Sequence, residues 1–166
     1  MKHLYLAGLI SLFAFSNALA QTGKDDVVDF GAPQPLTIVT ADGEHEFAVD
    51  EAKTLDQQAR GMMWRETMDA DTGMIFEFEE PKVATIWMKN TSIPLDILFV
   101  RSNGKILKIE HSHKPYTQRS ASSEAVIAAV VELKGGEAKA RGIRPCLLYT
   151  SPSPRDATLS RMPSSA

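Results

Sequence analysis

Ile93-Pro94-Leu95-Asp96-Ile97-Leu98-Phe99-Val100 is an apolar run carrying one carboxylate, entered through the turn-forming stretch Asn90 to Pro94 and left through Ser102-Asn103-Gly104. A short run rich in β-branched and aromatic residues between such punctuators reads as a strand, here Leu95 to Arg101. Three more runs of this kind lie around it: Met74 to Phe78, Val83 to Lys89 after Glu80-Pro81, and Lys105 to Ser112. His113 to Ser123 is polar and reads as a long surface loop. Ala125 to Leu133 is apolar enough for a buried strand or a helix, and we read it as a strand.

Upstream, Leu36 to Thr40 and Glu46 to Val49 flank Ala41-Asp42-Gly43-Glu44, and an Asp-Gly between β-prone runs is a hairpin signal. Thr54-Leu55-Asp56-Gln57 has capping-box spacing, which starts a short helix over Leu55 to about Met62. After Gly135-Gly136, Glu137 to Arg141 reads as one helical turn stopped by Gly142. No internal repeat is present. The expectation is a mainly β, compact antiparallel sandwich or barrel-like domain with one or two short helices.

Both ends of the chain lie outside that pattern. Lys2 and His3, the apolar run Leu4 to Phe15 and the close Ala18-Leu19-Ala20 have the order of a secretory signal, with cleavage before Gln21. The apolar run is shorter than the roughly 20 residues that a membrane span needs. Residues 21–35 are polar and broken by Gly and Pro, and read as a flexible lead to the domain over 36–145. Cys146-Leu147-Leu148-Tyr149-Thr150-Ser151-Pro152-Ser153-Pro154-Arg155-Asp156 is what the transposon end and adapter of a sequencing library translate to. Ser160 to Ala166 fits the outer adapter in the same way, so residues 146–166 read as a non-native tail.

Without that tail no cysteine remains, which excludes a disulfide, a thiol nucleophile or a thiolate metal site. Residues 21–145 hold 15 Lys and Arg against 20 Asp and Glu, a net charge of −5. An acidic surface argues against a nucleic-acid partner. The expected setting is export to a periplasm or beyond the cell, with no membrane contact once the leader is removed.

Four segments are similar to one family: Arg60-Gly61-Met62-Met63-Trp64-Arg65, Gly73-Met74-Ile75-Phe76, Trp87-Met88-Lys89-Asn90-Thr91, and Pro94-Leu95-Asp96 before its apolar strand. In this order, and with Val131-Glu132-Leu133 and Gly142-Ile143 after them, they resemble domain of unknown function 192 (DUF192), over roughly Leu36 to Arg144. The resemblance implies a compact β-rich domain with a short helix or two, often exported, without an established activity. The family continues after Gly142-Ile143 with a Gly-Asp turn and a closing apolar strand, where this chain has its adapter-like tail. The final strand is therefore expected to be missing, leaving a bare sheet edge.

Asp96 is the most informative residue. Strand alternation puts it on the face of Leu98 and Val100, where a carboxylate must find a cation or hydrogen-bond donors. Arg60, Arg65 and Lys89 are the candidate partners. With Trp87 as an aromatic wall and Asn90 and Glu132 as hydrogen-bonding groups, these residues would form a small polar pocket for an anionic or sugar-like ligand. The plainer alternative is an internal salt bridge that fixes helix against sheet. Gly135-Gly136 before a helical turn could present N–H groups to an anion, although a simple turn suffices.

Met62, Met63, Met68, Met74 and Met88 are soft donors suited to Cu(I), and His111 and His113, two apart on a strand, could share a metal with them. Methionine is also an ordinary core filler. No Gly-x-Ser-x-Gly, His-Glu-x-x-His or phosphate loop is present, and Glu77, Glu79 and Glu80 read as a solvated strand end. The functional expectation is thus a non-catalytic domain that binds a small molecule or a protein partner without a cofactor. Two alternatives stay open, a periplasmic copper-binding accessory protein and a hydrolase with an unrecognised site.

Overall fold

The structure, a computed structural model, describes residues 23–146 and the backbone of residues 148–150. The leader-like residues 1–20 and the tail beyond residue 150 lie outside the described residues.

The hairpin forms where Asp42-Gly43 places it. β1 (Gln34–Thr40) and β2 (Gly43–Glu51) pair antiparallel, with Thr40 opposite Gly43. Gly43 takes φ 135°, a conformation that glycine reaches without steric cost. α1 (Leu55–Arg60) begins with the capping box: Gln57 N–H donates to Thr54 Oγ1 at 3.2 Å, and Thr54 N–H donates to Gln57 Oε1 at 2.9 Å. Helix α1 carries the chain back so that β3 (Thr72–Lys82) runs parallel to β2. That crossover makes the sheet mixed rather than wholly antiparallel.

β5 (Leu95–Val100), β6 (Ile106–His113) and β8 (Ile127–Lys134) complete the centre of the sheet, whose order is β6-β5-β8-β3-β2-β1-β9. The sheet is open, not a closed barrel. The apolar run Ala125 to Leu133 is a strand, with pairing on both its edges. The run Val83 to Lys89 is not the single strand its composition suggests. Only β4 (Thr85–Ile86) is extended, paired with β7 (Ala121–Ser122) as a separate two-stranded ribbon. β3 instead runs on to Lys82 through a register shift between Glu77 and Lys82, and Val83 and Trp87 turn outward.

β9 (Leu148–Thr150) lies antiparallel on β1, with Thr37 opposite Thr150 and Val39 opposite Leu148. The sheet edge expected to stand bare is thus paired over three residues by the adapter-like tail.

Every residue of β5 is buried, because both faces of the sheet are covered. On the first face Leu95, Ile97 and Phe99 pack with Met62, Met74, Met88 and Val130. On the second Leu98 and Val100 pack with Leu36, Phe47, Val131, Ala138 and Ile143. Each such side chain removed from water contributes on the order of 1.5–3 kcal/mol. The five methionines are all buried, with Met62, Met68, Met74 and Met88 in this first core. Gly73 allows β3 to press against β8, since a Cβ there would lie 2.9 Å from Glu132 O.

Candidate functional site

The first face opens into a cavity of about 380 Å³ between α1, the outer half of β3 and the β4 segment. Its walls are Met62, Met63, Phe76, Phe78, Ile86 and Trp87, and Glu132 is among its lining residues. Alternation along β8 places Glu132 beside Val130 on this face, with Met74 of β3 and Ile97 of β5 opposite it in register. A carboxyl set among apolar neighbours loses its hydration, and its charged form suffers most. Burial pushes Glu132 up to about 8, although the positive charge of Arg65 pulls the other way. Its Oε2 is fully enclosed and has no hydrogen-bond partner among the described residues. A side chain 4% exposed with an orphaned oxygen is uncommon in a folded core, where buried polar groups are nearly always paired.

The cations expected beside Asp96 are engaged elsewhere. Arg60 is buried and donates to the carbonyl oxygens of Gly23, at 2.8 Å, and Asp26. Arg65 bridges to Asp50 at 2.5 Å and stands over the Phe30 ring, 5.5 Å from its centroid. Lys89 lies over the Trp87 ring at 5.3 Å. Asp96 needs none of them. Its Oδ1 accepts the Ser112 N–H at 2.7 Å, and its Oδ2 accepts Gly136 N–H at 3.0 Å and Ala138 N–H at 2.8 Å. The anion that the Gly135-Gly136 turn receives is the chain's own Asp96, on the opposite face of the sheet from the cavity. Asp96 thus ties α2 (Glu137–Ala140) and the end of β6 to β5.

Asn90 reaches a wall residue of this cavity, Met63, without lining the cavity itself. It takes φ 52°, places its Nδ2 3.9 Å from Met63 Sδ, and accepts the Trp64 N–H on its carbonyl at 2.9 Å. Trp64, at φ 68°, and Tyr116, at φ 54°, are also left-handed, and Tyr116 N–H donates to Thr91 O at 3.2 Å. Left-handed residues other than glycine cost of order 1–3 kcal/mol each and collect at functional sites. Trp87, 57% exposed, separates this cavity from a second of about 410 Å³ that touches Lys89, Asn90 and Tyr116.

Of the predicted residues, Arg60, Trp87 and Glu132 line the main cavity, Lys89 and Asn90 the neighbouring one, and Arg65 acts on Glu132 by charge alone. Phe76, Phe78, Lys82 and Thr91 also line it and went unrecognised in the sequence. The alternation of Met74, Phe76 and Phe78 could have placed the two phenylalanines on the face of Glu132.

The residues of the metal alternative stand apart in the fold. Ser112 takes φ 44° within a register shift between β5 and β6, so His111 and His113 do not share a face. His111 is half exposed, while His113 is buried with its Nε2 2.8 Å from Arg119 O. Both border a cavity other than the one Met62 and Met63 line. Among the described residues no three His, Cys, Asp or Glu side chains are grouped to hold a metal ion.

The DUF192 family model, described as "Uncharacterized ACR", matches residues 37–146. A solved structure from Sinorhizobium meliloti, described provisionally as a transcription regulator, is 33% identical with a TM-score of 0.72, over 76% of this chain and 98% of that one. A protein of unknown function from Novosphingobium aromaticivorans is 36% identical with a TM-score of 0.68, over 70% of this chain and 83% of that one. None of the curated proteins matches the chain.

Proposed function

The chain belongs to the DUF192 family, and from that premise we propose that it is an exported domain that binds a small molecule, without catalysis, in the cavity lined by Glu132. The observation that carries this reading is the orphaned Oε2 of Glu132 beside a cavity large enough for a small ligand. A buried polar atom without a partner costs about 1–3 kcal/mol, and a ligand toward which the Glu132 carboxyl turns recovers it. The left-handed Asn90 and Tyr116 line the neighbouring cavity, and the left-handed Trp64 follows Met63, a wall of this one. The leader-like pattern of residues 1–20 supports export. We leave the tail from Cys146 out of this reading as foreign, so the β9 pairing stands in for the family's own closing strand.

A nucleic-acid partner does not suit a mature region of net charge −5, and the Sinorhizobium description is not carried over. A second reading has one observation in its favour. A carboxyl still protonated near neutral pH is what a general acid needs, so Glu132 would be the proton donor of a hydrolase.

Thermal-shift and calorimetric screening of small polar compounds against the purified protein, Glu132→Gln and Trp87→Ala tests the binding reading. Hits are expected to weaken in both variants. A blank screen, or hits indifferent to both substitutions, would sink it. Turnover of ester, phosphate or glycoside substrates that Glu132→Gln abolishes would replace it with the hydrolase.

A further inference from the structure

The charge around the cavity is one-sided. Arg60 from α1 and Lys82 from the end of β3 line it, and Glu132 is its one acidic lining residue. Arg60 meets only neutral carbonyl oxygens among the described residues, since the Asp26 carboxylate is turned to the Gly23 N–H. Lys82 is exposed and lies over the Phe78 ring, 4.2 Å from its centroid. Arg65 is paired with Asp50. A cavity with a buried guanidinium, a lysine at its exposed rim and a buried carboxyl whose Oε2 has no partner among the described residues suits a ligand that brings negative charge and an oxygen acceptor together.

We infer, resting on the binding reading above, that the cavity takes a small organic monocarboxylate: one carboxylate oxygen accepts the Glu132 hydroxyl proton, and the apolar body packs against Met62, Phe76 and Phe78. The ligand's charge then offsets Arg60 and Lys82. Two carboxyl groups this close share one proton and are not both ionised, so the complex needs the protonated form of Glu132. That form dominates below about pH 8 in the empty cavity. The charged groups around Glu132 are Arg60, Arg65, Lys82 and, beyond Trp87, Lys89. Met74 and Ile97, opposite it on β3 and β5, carry no charge. Loss of the Glu132 proton therefore sets the pH dependence. An ammonium compound of the same shape would meet two like charges, and a neutral amide would offset neither cation.

The test uses benzoate, benzamide and benzylammonium as probes, followed by calorimetry and by tryptophan fluorescence. At about pH 6.5 benzoate should bind at least about tenfold tighter than benzamide, with no binding of benzylammonium. Raising the pH to about 9 leaves roughly a tenth of Glu132 protonated, so benzoate affinity should fall about tenfold in the wild type. It should stay level in Glu132→Gln, whose amide donates at every pH. Lys82→Met, a change on the exposed rim, should weaken benzoate several-fold and leave benzamide unchanged. If benzamide or benzylammonium binds as well as benzoate, the ligand class is overturned while the cavity reading stands. If none of the three binds, this inference falls, and the broader screen then decides the cavity reading separately.

Discussion

Replacing Glu132 by Gln should change how the stability of this protein depends on pH. The carboxyl is raised from 4.5 to about 8 in the folded protein, chiefly by burial, with Arg65 opposing. As pH rises from 4.5, the unfolded chain gives up its Glu132 proton first, and the folded chain holds its own until about pH 8. The folded state binds more protons over that window, so stability falls as pH rises and levels off above it. At about 1.4 kcal/mol per pH unit, the window from 4.5 to about 8 amounts to roughly 5 kcal/mol. Near neutral pH about 3 kcal/mol of that has been lost. Gln has nearly the same shape and does not titrate, so the difference between the two proteins isolates this group. Urea unfolding from about pH 5 to about pH 9 should give similar stabilities at the acid end. The variant should pull ahead steadily and lead by several kcal/mol at the alkaline end. Parallel curves over the whole range would show that the carboxyl is hydrated or paired, and would remove the basis of the cavity reading.

Asp96→Asn should cost about 2–4 kcal/mol in urea unfolding, because an amide cannot accept all three N–H groups that the carboxylate holds. The same variant should bind cavity ligands with unchanged affinity, since Asp96 faces the other core. Gly73→Ala should lower stability by about 1–3 kcal/mol, because its Cβ would stand 2.9 Å from Glu132 O and 3.0 Å from Val49 Cγ1. An unchanged unfolding midpoint there would mean that β3 and β8 can part freely. Thr54→Ala should remove about 1 kcal/mol through the lost capping box, and Thr54→Ser should keep most of it.

Local signals in the sequence were reliable where the interaction that settles them is itself local. The capping box of Thr54 and Gln57 and the turn at Asp42-Gly43 involve neighbours along the chain, and both stand where their spacing puts them. The DUF192 resemblance and the mainly β class hold for the same reason, since they rest on runs and motifs in order. Partners chosen across the fold were not legible. Asp96 and the Gly135-Gly136 turn both stand out in the sequence, yet nothing there says that they belong to each other, 40 residues apart. Arg65 is a candidate partner for Asp96 in the sequence, and its actual bridge to Asp50 follows from where the parallel crossover sets the chain. One residue's backbone undid the histidine pair, because strand alternation holds only while the strand is regular, and Ser112 breaks it. Glu132 reads from the sequence as a hydrogen-bonding group, and that its Oε2 has no partner among the described residues is a property of the space around it and not of its neighbours in sequence.

The position of β8 between β5 and β3 also fixes the order in which the molecule can be made. β1 through β3 can assemble as soon as they emerge, and β5 and β6 can pair as a unit, but the two halves have no strand in common until Lys134 has been synthesised. Closure therefore waits on contacts distant in sequence, which places folding in the slow range of milliseconds to seconds for such topologies. Until then the halves present raw strand edges, β3 on one and β5 on the other.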